Sequence, residues 1–185
     1  MYGVIFLAYI LGSIPSAYLV TKIFTGKDIR EIGSGNMGAM NTFRNIGFIP
    51  GLITFCMDFG KGAFAANIAL CLKTERWVLY AVILGLVLGH NWPAVLKFKG
   101  GKGLAVTAGA LVLIDIKAGL VVFAVIGIAT LVLKNTDIAT IIGFAVYPFG
   151  IYIIQNDINV FLVGLIQFGV ILVKHLSEVK RFFPG

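Results

Sequence analysis

Long apolar stretches alternate with short polar ones along the whole chain. The apolar segments are 2–24, 50–72, 77–96, 104–114, 118–133, 138–154 and 160–173. About 20 helical residues are needed to cross roughly 30 Å of hydrocarbon. The first three segments meet that length and the later ones are shorter. The difficult stretch is 104–133, long for one helix and short for two, with Asp115 and Lys117 interrupting it near the middle. The pattern predicts helices throughout, some of them short or tilted.

Composition explains why these stretches are not the core of a soluble domain. Hydrophobic residues make up 59% and charged residues 12% of the 185 positions, and the mean hydropathy is +0.98. Soluble domains carry about 25% charged residues. Disorder is excluded because it needs low hydrophobicity. The expected fold class is an all-α integral membrane protein, residues 1–185 forming a single membrane domain. The N-terminal stretch has no positive charge before it, so it reads as a retained span and not a cleaved signal. Cys56 and Cys71 have no close partner and read as plain core residues.

The net charge of +7 then orients the helices. If 104–133 is two helices turning at Asp115–Lys117, seven spans result, with the N-terminus outside and the C-terminus cytoplasmic. Eleven basic residues then face inside and three, Lys73, Arg76 and Lys117, face outside. If it is one helix, the split becomes seven against six. Basic residues concentrate in short cytoplasmic loops, so a bundle of seven transmembrane helices is preferred. Gly85 and Gly89, and Ala105 and Gly109, have the four-residue spacing that lets helices approach closely.

Nearly all the polar chemistry falls on the inside face. The first inside loop, residues 26–44, holds Gly33, Gly35 and Gly38 beside Ser34, Asn36, Asn41 and Arg44. Glycines let backbone N–H groups converge on an anion, and arginine adds a forked donor. The second inside loop reads Lys97-Phe-Lys99-Gly100-Gly101-Lys102-Gly103 and opens the helix at Leu104. Charge, backbone N–H groups and a helix N-terminus together make an anion trap. It is not a Walker A loop, since Gly103 stands where Ser or Thr would hold a metal. With Arg30 and Lys61, these loops supply six cations: Arg30, Arg44, Lys61, Lys97, Lys99 and Lys102. His90 stands near the inner boundary, where an ionisable residue points to function. Trp92 beside it reads as an interface anchor. Asp58 and Lys61 are three apart on one span and can pair. The tail basic residues Lys174, Lys180 and Arg181, with His175, also suit anionic lipid headgroups.

Absences narrow the chemistry. No His is followed five residues later by Asp, as in the usual coenzyme-A-dependent glycerolipid acyltransferases. No Gly-x-Ser-x-Gly elbow occurs. The inside acidic residues are not clustered as metal ligands, so neither a metal nor a cofactor is expected.

The ordered motifs Gly12-Ser-Ile-Pro-Ser-Ala17, Gly26 through Asn36 with Asn41 and Arg44, Asp58-x-x-Lys-Gly62, and Gly89-His-x-x-Pro93 followed by Phe98-Lys-Gly-Gly-Lys-Gly103 closely resemble the bacterial acyl-phosphate:glycerol-3-phosphate acyltransferases, the PlsY family. The match covers 12–62 and 85–107 by motif and the rest by hydropathy. The resemblance implies a seven-span enzyme of the bacterial cytoplasmic (inner) membrane with its site facing the cytoplasm. It implies transfer of a fatty acyl group from acyl phosphate to the 1-hydroxyl of glycerol 3-phosphate, giving lysophosphatidic acid. Ser34, Asn36, Asn41 and Arg44 would belong to the first motif, and His90, Lys97, Lys99 and Lys102 to the second. His90, Ser34 and Lys102 are the candidate catalytic residues. Arg30, Gly33, Gly35, Asn36, Asn41, Arg44, Lys61, Lys97, Lys99, Gly100, Gly101 and Gly103 are the candidate phosphate-binding ones. Expected partners are acyl phosphate, glycerol 3-phosphate, membrane lipids and the enzyme that makes acyl phosphate, and no nucleic acid. The chain departs from the family at Met40, Asp137 and Glu178, where Thr, Ser and Asn are usual. The last two add negative charge near a site for two anions. Rival functions are phosphate or anion transport, and lipid-phosphate binding without acyl transfer.

With the two phosphates held side by side, proximity supplies much of the rate. No carboxylate stands next to His90 in the sequence to orient it, which favours the donor's own phosphate as proton acceptor.

Overall fold

A computed structural model describes residues 2–182 of the chain, with side chains for residues 2–176. Among the described residues every regular element is a helix. The first apolar segment is two helices, α1 (Tyr2–Gly12) and α2 (Ser16–Thr25). Pro15 causes the break, because its ring and missing N–H stop α1 from continuing. The carbonyls freed there are taken by a distant side chain. The Lys61 ammonium donates to the Gly12 carbonyl at 3.1 Å and to that of Ile14 at 2.9 Å. The sequence pattern treated this segment as one continuous span.

The short helix α3 (Ala39–Asn45) follows the first loop and leads into α4 (Phe48–Cys71). After it come α5 (Arg76–Asn91), α6 (Leu104–Ile114), α7 (Ile116–Leu133), α8 (Thr136–Gln155) and α9 (Ile158–Phe182). Among the described residues five units are long and apolar enough to cross a membrane: Tyr2–Thr25, Arg76–Leu96, Ile116–Leu133, Thr136–Gln155 and Ile158–Leu176. α4 has 24 residues but carries Asp58 and Lys61, and α6 has only 11. Large apolar side chains such as Ile23, Leu131 and Ile153 stand on the outer surface. That inversion of the soluble pattern is the signature of a membrane protein.

α5 is the central helix, in contact with α1, α4, α6 and α9. It buries Val78, Val82, Ile83, Leu86 and Val87. Lipid tails are as apolar as leucine, so packing rests on close backbone approach. Gly85 and Gly89 provide it: a Cβ on either would overlap the carbonyl of Ile5 or Tyr9 on α1. Gly62 and Gly109 do the same between α4 and α6.

The stretch 104–133 divides as the charge count preferred, but at one residue. Asp115 ends α6 and caps α7, its Oδ1 accepting the Ala118 N–H at 3.0 Å. Its Oδ2 accepts from Tyr80 Oη and from Gln155 Nε2, both at 2.6 Å. A buried carboxylate is tolerated when its lone pairs are filled in this way. One expectation fails outright: Cys56 and Cys71 are exposed and not core. Both lie on the outer surface of α4, where apolar residues meet lipid.

Candidate active site

The two Gly-rich loops meet at one end of the bundle. Ile29 and Met37 of the first loop pack with Ala17, and Leu96, immediately before the second loop, closes that small cluster. A narrow cleft beside it is lined by Ser13, Ser16, Met37, His90, Pro93 and Gly101.

The first loop is organised by one amide. Asn41 is buried, and its Nδ2 donates to the carbonyls of Ile32 and Asn36, both at 3.0 Å. Its Oδ1 accepts the Ser34 N–H at 3.2 Å and the Asn45 amide at 2.9 Å. Asn41 is therefore fully engaged in holding the loop. Gly33 and Gly35 turn through φ +59° and +70°, a region in which other residues are strained. Ser34 and Arg44 stand exposed above this frame, and Asn36 is half-buried. Arg30 is bound back onto the loop, its Nη2 2.6 Å from Asp28 and its guanidinium 5.6 Å from the Tyr18 ring centre. That guanidinium holds the Asp28 carboxyl below its ordinary range. Arg30 is thus already paired.

The second loop folds over the end of α5. The Gly101 N–H donates to the His90 carbonyl at 3.0 Å. A Cβ on Gly101 would overlap His90 Nε2, and one on Gly100 would overlap the His90 carbonyl and Pro93. The glycine pair is needed for this close approach, and only Gly103, at φ +87°, needs glycine's left-handed freedom. Lys97 and Phe98 adopt left-handed backbone despite their side chains, at φ +53° and +60°. Lys97 and Lys99 point into the open, while Lys102 is half-buried and bonded to Asp137.

His90 is buried, and its Nδ1 lies 3.6 Å from Asp58 Oδ1. This corrects the sequence reading, which left His90 without a neighbouring carboxylate. The two residues are far apart in the chain, and only the crossing of α4 and α5 joins them. Asp58 also pairs with Lys61 at 2.9 Å, as the spacing predicted. The sequence places Lys61 among the phosphate cations. Its three N–H donors instead meet Asp58, Gly12 and Ile14.

Further contacts had no signal in the sequence. Lys174 donates to the Asn91 carbonyl at 2.6 Å and sits 5.1 Å from the Trp92 ring centre, bracing the end of α5. His175 Nε2 lies 3.6 Å from Asp137 Oδ1. Glu178, Lys180 and Arg181 lie outside the described side chains. Among the described residues no three His, Cys, Asp or Glu side chains gather as a metal site.

Comparison with known proteins agrees along the chain. A family profile described as glycerol-3-phosphate acyltransferase matches residues 2–185. A relative from Dehalococcoides mccartyi, named glycerol-3-phosphate acyltransferase 1, is 37% identical and covers 95% of this chain and 87% of its own. One from Carboxydothermus hydrogenoformans, named glycerol-3-phosphate acyltransferase, is 37% identical over 97% of this chain and 91% of its own. The crystal structure of PlsY, an integral membrane glycerol 3-phosphate acyltransferase, in its glycerol 3-phosphate form superposes with a TM-score of 0.88 at 31% identity. It covers 98% of this chain and 90% of that one. The lysophosphatidic acid form of the same protein gives a TM-score of 0.83 at 30% identity.

Proposed function

The chain belongs to the glycerol-3-phosphate acyltransferase family, and from that premise we propose that it moves a fatty acyl group from acyl phosphate to the 1-hydroxyl of glycerol 3-phosphate. The observation that carries this reading is the likeness, over nearly the whole chain, to an integral membrane enzyme solved in its glycerol 3-phosphate and lysophosphatidic acid forms. The product is lysophosphatidic acid.

The residues suit the chemistry. Acyl phosphate is a mixed anhydride, already activated, with phosphate as its leaving group. The acceptor oxygen attacks the acyl carbon, the carbon–oxygen bond to phosphate breaks, and phosphate departs with the electron pair. The protein must hold two repelling phosphates close together, and such positioning alone is worth about 7–11 kcal/mol. The exposed Ser34, Arg44, Lys97 and Lys99 and the half-buried Lys102 ring the end where the loops meet. Arg30, Asn41 and Lys61 act one step back, by holding the loop and the broken first span. His90 packs under Gly101, and its neighbouring carboxylate, Asp58, is shared with Lys61. The hydroxyl proton therefore passes to the donor phosphate, and His90 positions the second loop.

The seven-span topology is part of the same proposal. It counts α1–α2 as one span and each of α4 to α9 as another, with the N-terminus outside and the C-terminus cytoplasmic. The basic-residue asymmetry supports it. It puts the site on the cytoplasmic side of a bacterial inner membrane, where both water-soluble phosphates are available, within a single membrane domain.

The test is purified protein with labelled glycerol 3-phosphate and a long-chain acyl phosphate, with acyl-coenzyme A in parallel. Lysophosphatidic acid from acyl phosphate alone is the expected result. Product from acyl-coenzyme A alone would overturn the donor.

A further inference from the structure

A buried asparagine lies under each Gly-rich loop. Asn41 is fully engaged in the first. Its Nδ2 donates to two loop carbonyls, and its Oδ1 accepts from the Ser34 N–H and the Asn45 amide. Asn91, the last residue of α5, is 0% exposed under the second. Its backbone is fixed, because its carbonyl accepts from Lys174 at 2.6 Å. Its side chain has no partner at either end. Among the described residues it is the one buried side chain with two unpartnered polar atoms. A buried amide left unpaired destabilises a fold, whereas an apolar group of the same shape does not.

The amide stands at the start of α6. Its Oδ1 lies 3.3 Å from the point where a Cβ on Gly103 would be. Gly103 precedes α6 and has no side chain to cap it. First-turn N–H groups find no acceptor inside their own helix. An acceptor without a donor and a helix end short of acceptors therefore meet at Gly103. Two features keep the loop from settling further onto α5. Lys97 and Lys99 stand exposed on the same short loop, and like charges there repel each other and the positive end of α6. Lys97 and Phe98 are also held in left-handed backbone, at φ +53° and +60°, which residues with side chains adopt at a cost. An anion on the loop cancels the repulsion.

We propose that Asn91 is a positioning residue for the second loop: a phosphate anion on the loop draws the backbone at Gly103 onto the Asn91 amide, and that bond adds to the affinity for phosphate monoesters. Asn91 touches no substrate and acts through the loop. The inference rests on the proposed function for the identity of the monoester.

The experiment compares the full-length protein in detergent with Asn91→Leu, an apolar side chain of similar size, and Asn91→Thr, which restores a hydroxyl. Calorimetry reads the binding of inorganic phosphate and of glycerol 3-phosphate, product formation reads kcat and KM, and thermal unfolding reads stability. Asn91→Leu should melt no lower than the parent, because it removes the unpaired amide. It should bind both ligands about tenfold more weakly, the worth of one net hydrogen bond. The KM for glycerol 3-phosphate should rise by a similar factor, with kcat changed less. Asn91→Thr should recover part of the affinity. Parent-like phosphate binding by a folded Asn91→Leu protein would overturn the proposal. A lower melting temperature with an unchanged KM would overturn it too, and make Asn91 a prop of the bundle. Failure of both variants to fold would overturn it equally. Weaker phosphate binding by Asn91→Leu in a protein that makes no lysophosphatidic acid would retain this inference and sink the acyl-transfer reading.

Discussion

Lys61 reaches from α4 across the break in the first span to the Gly12 carbonyl, 3.1 Å away. The contact explains how a proline-broken helix survives at this depth. In hydrocarbon, freed carbonyls have no water, and an unsatisfied one costs several kcal/mol. One ammonium serves two of them and is balanced by Asp58. Lys61→Met should therefore lower stability by about 3–5 kcal/mol, because it strands the Asp58 charge as well. The double variant Asp58→Asn with Lys61→Met should recover part of that loss. Thermal unfolding in detergent measures both, and a Lys61→Met protein as stable as the parent would refute the role.

Gly101 packs its backbone against the His90 ring. Gly101→Ala would push the second loop off α5 while leaving the bundle intact. A displacement of about 1 Å in a positioning element costs roughly 10²-fold in rate. The expected outcome is a loss of that order in kcat/KM with an unchanged melting temperature. Full activity would show that the loop tolerates the shift.

Lys102 is the half-buried cation of its loop, and its ammonium is a charge-assisted donor. Lys102→Ala should cost at least about 2 kcal/mol of transition-state stabilisation, read from kcat/KM. An unchanged kcat/KM would remove the second loop from the phosphate site.

His90 has Asp58 beside Nδ1, yet at 3.6 Å the two do not hydrogen-bond, and Asp58 is shared with Lys61. His90→Gln keeps a polar group of similar reach and should retain measurable turnover, with the proton leaving on the donor phosphate. Complete loss of turnover in a variant that still folds and binds glycerol 3-phosphate would make His90 the general base.

Much of this protein was legible in the sequence because bilayer physics acts on local composition. Segment lengths, the Asp58–Lys61 pair and the glycine spacing of α5 follow from short-range periodicity, and the split at Asp115 from the count of basic residues on either side. Both candidate phosphate loops were visible as glycine and lysine in runs. Tertiary structure alone decided which of those polar residues are available to a ligand. Asn41 turned out to bind its own loop, Arg30 to bind Asp28, and Lys61 to staple the first span. Neither the approach of Asp58 to His90 nor the meeting of Lys102, Asp137 and His175 leaves a mark at short range. The physical reason is that hydropathy and charge are summed along the chain, whereas a hydrogen bond is settled by a few tenths of an ångström between helices distant in sequence. The sequence by itself determined that this is a helical membrane protein with two loops rich in glycine and basic residues. Only the packing of α4, α5, α8 and α9 decided which cations are tied into the frame, as Lys61 is to Asp58, Gly12 and Ile14, and which stand exposed at the loops, as Lys97 and Lys99 do.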